Sequence, residues 1–241
     1  MTNNLNRARP DEWHRGDLFP FIEECWSNSL AVVGNKNVVA ARLTAIDDIF
    51  GEVVRQGLKP TKTAEIVPVL LYMRSFNAFR ASVMVCLSLP TESFPLQRSC
   101  LENAGYARLI ATDADLSALW LQRDENLAEV RKKFSNKAVR DAIAKDDEPL
   151  SKIYQEMYER SIDFGAHPNE KGVLGAVVPA SINTGTLQVA MLAGDSTQLQ
   201  HGLKSCAQVG ICALKVFNLM FRTQFAKWDF ETKIGAAARS F

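Results

Sequence analysis

The sequence is poor in what stabilises small secreted scaffolds. Its five cysteines among 241 residues (Cys25, Cys86, Cys100, Cys206 and Cys212) are odd in number, irregularly spaced and never arranged as C-x-x-C. That excludes a disulfide framework or a zinc knuckle. Glycine and proline are sparse, at 13 and 9, which argues against a loop-rich all-β chain and leaves room for helices. The three histidines, His14, His167 and His201, lie far apart without ligand spacing, so no metal site is expected. Charge of one sign is lacking too. Lys plus Arg is 28 against 27 for Asp plus Glu, which excludes a polycation built for indiscriminate nucleic-acid binding. G-x-x-x-x-G-K-[ST], G-x-S-x-G and H-E-x-x-H are absent, and no G-x-G-x-x-G opens a helix after a strand. The common nucleotide-binding, hydrolase and zinc-protease classes fall away, and no cofactor is expected.

Long uncharged apolar runs are missing as well. The stretch 66–89 is interrupted by Arg74 and Arg80, and 203–221 carries Lys204 and Lys215. A membrane span needs ~18 or more residues with few charges. The opening MTNNLNRARPDEWHRGD has no apolar signal core. A cytoplasmic chain without a membrane partner is the expectation.

What is present is a helical pattern. Apolar residues make up 47% of the chain, and a chain of this length buries roughly 70–75% of its unfolded surface, enough for one domain without staples. Val39, Leu43, Ile46, Phe50 and Val53 or Val54 recur at helical spacing. Residues from about 63 to 89 are apolar on several faces and predict a central core helix. Asp113, Ser135 and Pro149 mark later helix starts, and a long helix is predicted from Asp195 past Phe221. Between them GVLGAVVPASINTGTLQVAMLAG is rich in Val and punctuated by turn formers, which predicts a small β-hairpin at 173–192. The expected architecture is mainly α: a flexible N-terminal arm over 1–17, then a single-domain helical bundle over 18–241. The charge-dense stretch 122–148 holds seven basic and seven acidic residues and reads as solvated helix faces.

The concentrated polar cluster is YERSIDFGAHPNEKG. On a continuous α-helix Arg160 and His167 would return to within ~20° of one face, about 10 Å apart along the axis. Glu156 and Asp163 would share that stripe. Arg160 could grip a phosphate through its guanidinium fork, while His167 could move a proton near neutrality, with Asp163 orienting one of them. The same residues also suit a structural helix end, with His167 near the last carbonyls and Arg160 paired to Glu156 or Asp163. Arg98 and Glu102 lie one turn apart on an otherwise apolar helix. They read as an ion pair, or as one wall of a cleft facing the Arg160–His167 stripe, with Tyr106 and Asn169 as further candidate ligand-binding residues. Gly105 would then allow close approach of a ligand or a backbone.

RSIDFGAH resembles the Arg-x(4–6)-His motif of the HEPN superfamily, here with six residues between Arg160 and His167. That resemblance implies a small all-α domain, in many members a metal-independent ribonuclease with a composite dimeric site, in others an inactive or nucleotide-binding protein. Ser161 stands where active members more often carry Asn, Asp or His. RSCLENAGYARL and YERSIDFGAHPN together resemble a bacterial domain family of unknown function with an Arg-x-x-x-Glu helix and a later Ser…His-Pro segment, here Arg98, Glu102, Ser161, His167 and Pro168. It implies a shared fold and no reaction. Two functions follow as expectations. One is a non-catalytic α-helical binding or regulatory protein, for instance a partner in a defence or stress system. The other is an endoribonuclease using Arg160 and His167. A homodimer through the apolar third and last long helices is expected, with RNA or a partner protein as the further partner.

Overall fold

A computed structural model describes Trp13, residues 15–60, 65–168, 170–174, Val177 and 192–239. The chain is mainly α-helical. It opens with α1 (Leu18–Asn35), α2 (Asn37–Arg55), α3 (Ile66–Cys86) and α4 (Pro90–Thr112). Four shorter helices follow: α5 (Ala114–Leu121), α6 (Leu127–Lys133), α7 (Asn136–Ala144) and α8 (Glu148–Ser161). A widened π-type turn, Ile162–Ala166, leads to α9 (Glu170–Leu174). The chain closes with α10 (Thr197–Met220), α11 (Arg222–Lys227) and α12 (Phe230–Arg239).

Helix starts are written in side chains. Asp113, Ser135, Asp147 and Ser196 each accept a hydrogen bond from a first-turn N–H, of Asp115, Ala138, Leu150 and Leu199 respectively. Asp17 stands at the cap position of α1 without such a bond. Pro90 and Pro149 occupy first-turn positions, where no intrahelical donor is lost.

The core is built on α3, α4 and α10, which pack on one another. Tyr72, Phe50, Phe79 and Phe217 are fully buried there. Phe50 stacks on Phe76 and Phe79 at 5.2 and 5.4 Å, and the Tyr72 hydroxyl donates to the Phe50 carbonyl at 3.0 Å. Burying side chains of this size stabilises by roughly 1.5–3 kcal/mol each before conformational entropy is counted. Gly210 lets α10 lie close to α2 and α3: a Cβ there would sit 2.7 Å from Phe79 and 2.9 Å from Ile46. By length and composition α10 could cross a membrane, but 67% of its most apolar window is buried inside the bundle.

Three expectations change. No strand occurs among the described residues, and Val173 and Leu174 belong to α9 instead of a hairpin. The rest of the expected hairpin, 175–176 and 178–191, lies outside the described residues. The long last helix stops at Met220, and the tail forms two more helices. Nor does α10 keep apolar faces for a partner, because α2, α3, α4, α8 and α12 cover it. Of the N-terminal arm, Trp13 is held against α1. It stacks on Phe19 at 4.4 Å and donates to Glu23 at 2.7 Å.

Candidate functional site

Helix α8 ends at Ser161, and this decides the geometry of the polar cluster. Seven residues return to one face only along a continuous α-helix. Here 162–166 form the widened turn, Gly165 leaves helical geometry, and His167 is extended at φ −138°, ψ 147°. Gly165 is required by close packing. A Cβ there would fall 2.4 Å from the Thr91 carbonyl oxygen. That carbonyl would ordinarily accept from the N–H four residues on, but Pro95 has none to give.

Arg160 and His167 are therefore not partners. Arg160 donates to Gln208 Oε1 at 2.5 Å and to Glu156 Oε1 at 2.6 Å. Asp163 orients neither of them, being paired with Lys171 at 2.7 Å. Asn169 lies outside the described residues. The expected catalytic trio Arg160, His167 and Asp163 is dispersed by the turn that follows Ser161.

His167 instead meets the other predicted pair. Arg98 Nη1 donates to His167 Nε2 at 2.9 Å, Arg98 Nε to Glu102 Oε1 at 2.8 Å, and Arg98 Nη2 to the Tyr158 hydroxyl at 2.8 Å. Tyr158 donates in turn to Glu102 Oε1 at 3.2 Å, and the guanidinium lies 5.0 Å from the Tyr158 ring centre. A guanidinium cannot accept, so Nε2 of the neutral ring is the acceptor and Nδ1 carries the proton. Ser161 is buried, and its hydroxyl donates to the Tyr158 carbonyl at 2.6 Å. Arg98 and Glu102 thus form the ion pair of one reading, and their helix also meets His167, though not Arg160, as in the other.

The electrostatics of this quartet are reinforcing. Partial burial opposes the Arg98 charge, but Glu102 and then Tyr158 outweigh it and hold the guanidinium above its ordinary pKa. Burial, then the Glu102 charge, pushes the Tyr158 hydroxyl up, with Arg98 working against both. Both residues keep their protonated forms at neutrality. His167 is the exposed member. The quartet can present a fixed imidazole edge to a ligand, but its arginine already spends three N–H groups internally.

Gly105 serves packing: a Cβ there would meet Val139 at 2.5 Å and the Tyr154 hydroxyl at 2.6 Å, so α7 and α8 occupy the space expected for a ligand. Tyr106 faces elsewhere, with Phe134 at 5.1 Å edge to face. The sequence reading missed Tyr158, although Tyr154 and Tyr158 at i, i+4 on an amphipathic helix mark one face. It also missed His201, whose ring lies 4.7 Å from Phe164 and 6.0 Å from Phe94. Burial, then Arg160 and Lys204, lowers the His201 pKa. No three His, Cys, Asp or Glu side chains among the described residues converge as a metal site.

Comparison with protein-family models, curated proteins and solved structures finds no match.

Proposed function

We propose that this chain is a non-catalytic α-helical binding or regulatory protein, with its ligand-facing surface centred on Arg98, Glu102, Tyr158 and His167. One observation carries the reading. The only cation within hydrogen-bond reach of His167 among the described residues is Arg98, and Arg98 is itself held by Glu102 and Tyr158. A phosphate-gripping guanidinium needs its fork open toward the ligand, and neither Arg98 nor Arg160 offers one. Purified protein incubated with mixed RNA, with and without EDTA, should leave the RNA intact. Cleavage lost in His167→Ala would overturn this reading.

The exposed imidazole beside a guanidinium supports a second reading, a metal-independent endoribonuclease in which His167 serves as general acid or base. Its products would carry 2′,3′-cyclic phosphates and DNA would be spared. The partner proposed under either reading is a second copy of the chain, met through the apolar face of α1.

A further inference from the structure

A second polar site lies on the other side of Glu102. A cavity of about 340 Å³ opens between α4, α5 and α6. That is at the lower end of the range for small-molecule sites, roughly 300–1,000 Å³, the scale of one nucleotide. Its walls are aromatic: Tyr106 and Trp120 line it, with Phe134 set edge-on to Tyr106. Its mouth is cationic, with Arg123 from the α5–α6 loop and Arg131 from α6.

The polar groups around this cavity are unspent. Arg123 and Arg131 are exposed, and their guanidinium groups make no hydrogen bond or ion pair with any described residue. The Tyr106 hydroxyl and the Trp120 indole N–H also have no hydrogen-bond partner among the described residues. Asn103 commits only its amide N–H, to Ser99, and leaves its carbonyl open. Glu102 receives Arg98 and Tyr158 on Oε1 alone, leaving Oε2. Two unpaired guanidinium groups, aromatic rings and open acceptors on α4, all lining one cavity, form a set complementary to one kind of ligand. It is a planar heteroaromatic ring with N–H groups that also bears an anion.

We infer that this cavity binds a nucleoside phosphate, its base between Trp120 and Tyr106 and its phosphate on Arg123 and Arg131. Asn103 Oδ1 and Glu102 Oε2 accept from the base's N–H groups. This deepens the binding-protein reading and rests on it. The same chemistry comes from a free nucleotide or from an unpaired nucleotide of an RNA chain.

Calorimetry on the full chain tests it with the four nucleoside 5′-monophosphates, adenosine, inorganic phosphate and a short unstructured RNA. A monophosphate or the RNA should bind, with adenosine and phosphate alone at least tenfold weaker. Arg123→Gln and Arg131→Gln, both exposed and harmless to folding, should each weaken binding roughly tenfold. Trp120→Ala should cost roughly tenfold or more through lost stacking. Lys227→Gln, away from the cavity, should change nothing. Binding by mononucleotides identifies the free ligand, and binding by RNA alone identifies a nucleotide within a chain. No binding by any of them, or binding equal in wild type and both arginine variants, overturns the inference. RNA cleavage by the wild type would overturn the binding-protein reading and leave the cavity result standing, so the two failures are distinguishable.

Discussion

Arg98 Nη1 stands 2.9 Å from His167 Nε2 across 69 positions of sequence. The contact ties the middle of α4 to the chain leaving α8. Arg98→Ala removes its bonds to Glu102, Tyr158 and His167 together. With a quarter of the arginine side chain exposed, we expect a loss of about 1–3 kcal/mol. Arg98→Lys should recover little, because one ammonium cannot reproduce the fork. Urea unfolding of the two variants checks this. A double-mutant cycle with His167→Ala should give a coupling of roughly 0.5–1 kcal/mol, as befits an exposed contact.

Two glycines should respond with opposite signs to the same substitution. In Gly165→Ala the new methyl group meets the backbone oxygen of Thr91, at 2.4 Å. Backbone cannot rotate away as a side-chain end can, so a loss of roughly 1–3 kcal/mol is expected, in the range of overpacked cores. Gly34 lies in α1 with nothing within 4 Å of a Cβ. Gly34→Ala should gain roughly 0.5–1 kcal/mol through helix propensity. Thermal midpoints moving in the same direction would contradict both arguments.

The helical class, the Asp113 and Ser135 caps and the Arg98–Glu102 pair were legible because each is local. Periodicity and capping act within a few residues, and i, i+4 ion pairs need only one helix turn. The helix end near Gly165 and Pro168 was legible too, but not which side chain the turn would bring to His167, since the Arg98 contact spans 69 positions. The turn itself rests on Gly165 packing against the Thr91 carbonyl oxygen that Pro95 leaves open, a contact across 74 positions. The charge-dense stretch 122–148 read as solvated faces, and Arg123 and Arg131 are indeed exposed. Only the placement of α5 and α6 beside α4 turns them toward Trp120 and Tyr106.

Thiol chemistry should divide the cysteines four to one. Cys86, Cys100, Cys206 and Cys212 are buried, and Cys25 is partly exposed. Burial pushes Cys100 and Cys212 up to about 12. The thiolate is the reactive form, so these thiols stay inert in the native state. Titration with a chromogenic disulfide should count one thiol in buffer and five in denaturant. Cys25, also raised by burial and by Glu24, should react slowly.

Stability should fall on mild acidification, partly through His201. Its pKa lies below the ordinary 6.5 because burial, then Arg160 and Lys204, disfavour the imidazolium. The unfolded chain therefore takes up a proton at higher pH than the folded one. This contribution is level above about 6.5, declines as pH drops below that value, and flattens once the folded histidine is also protonated. His201→Gln should reduce the difference in urea midpoint between pH 7.5 and pH 5.5. An unchanged difference would show that His201 titrates alike in both states.

The proposed homodimer places two copies face to face through α1. Ile22, Trp26, Leu30 and Val33 recur at helical spacing along one side of that helix and are all exposed, Trp26 by 62% and Leu30 by 56%. Val32 is the single fully buried residue of α1, so the helix leans on α2 without giving up its apolar stripe. An apolar stripe of this kind in water marks an interaction surface. A second copy supplies the same stripe under two-fold symmetry. Aromatic anchors dominate such interfaces, and loss of one costs ~2 kcal/mol or more. Trp26→Glu would bury two like charges across the axis, so it should convert a dimer to a monomer in light scattering at micromolar concentration while leaving helical circular dichroism unchanged. A wild-type protein already monomeric at that concentration would remove α1 as a self-association surface.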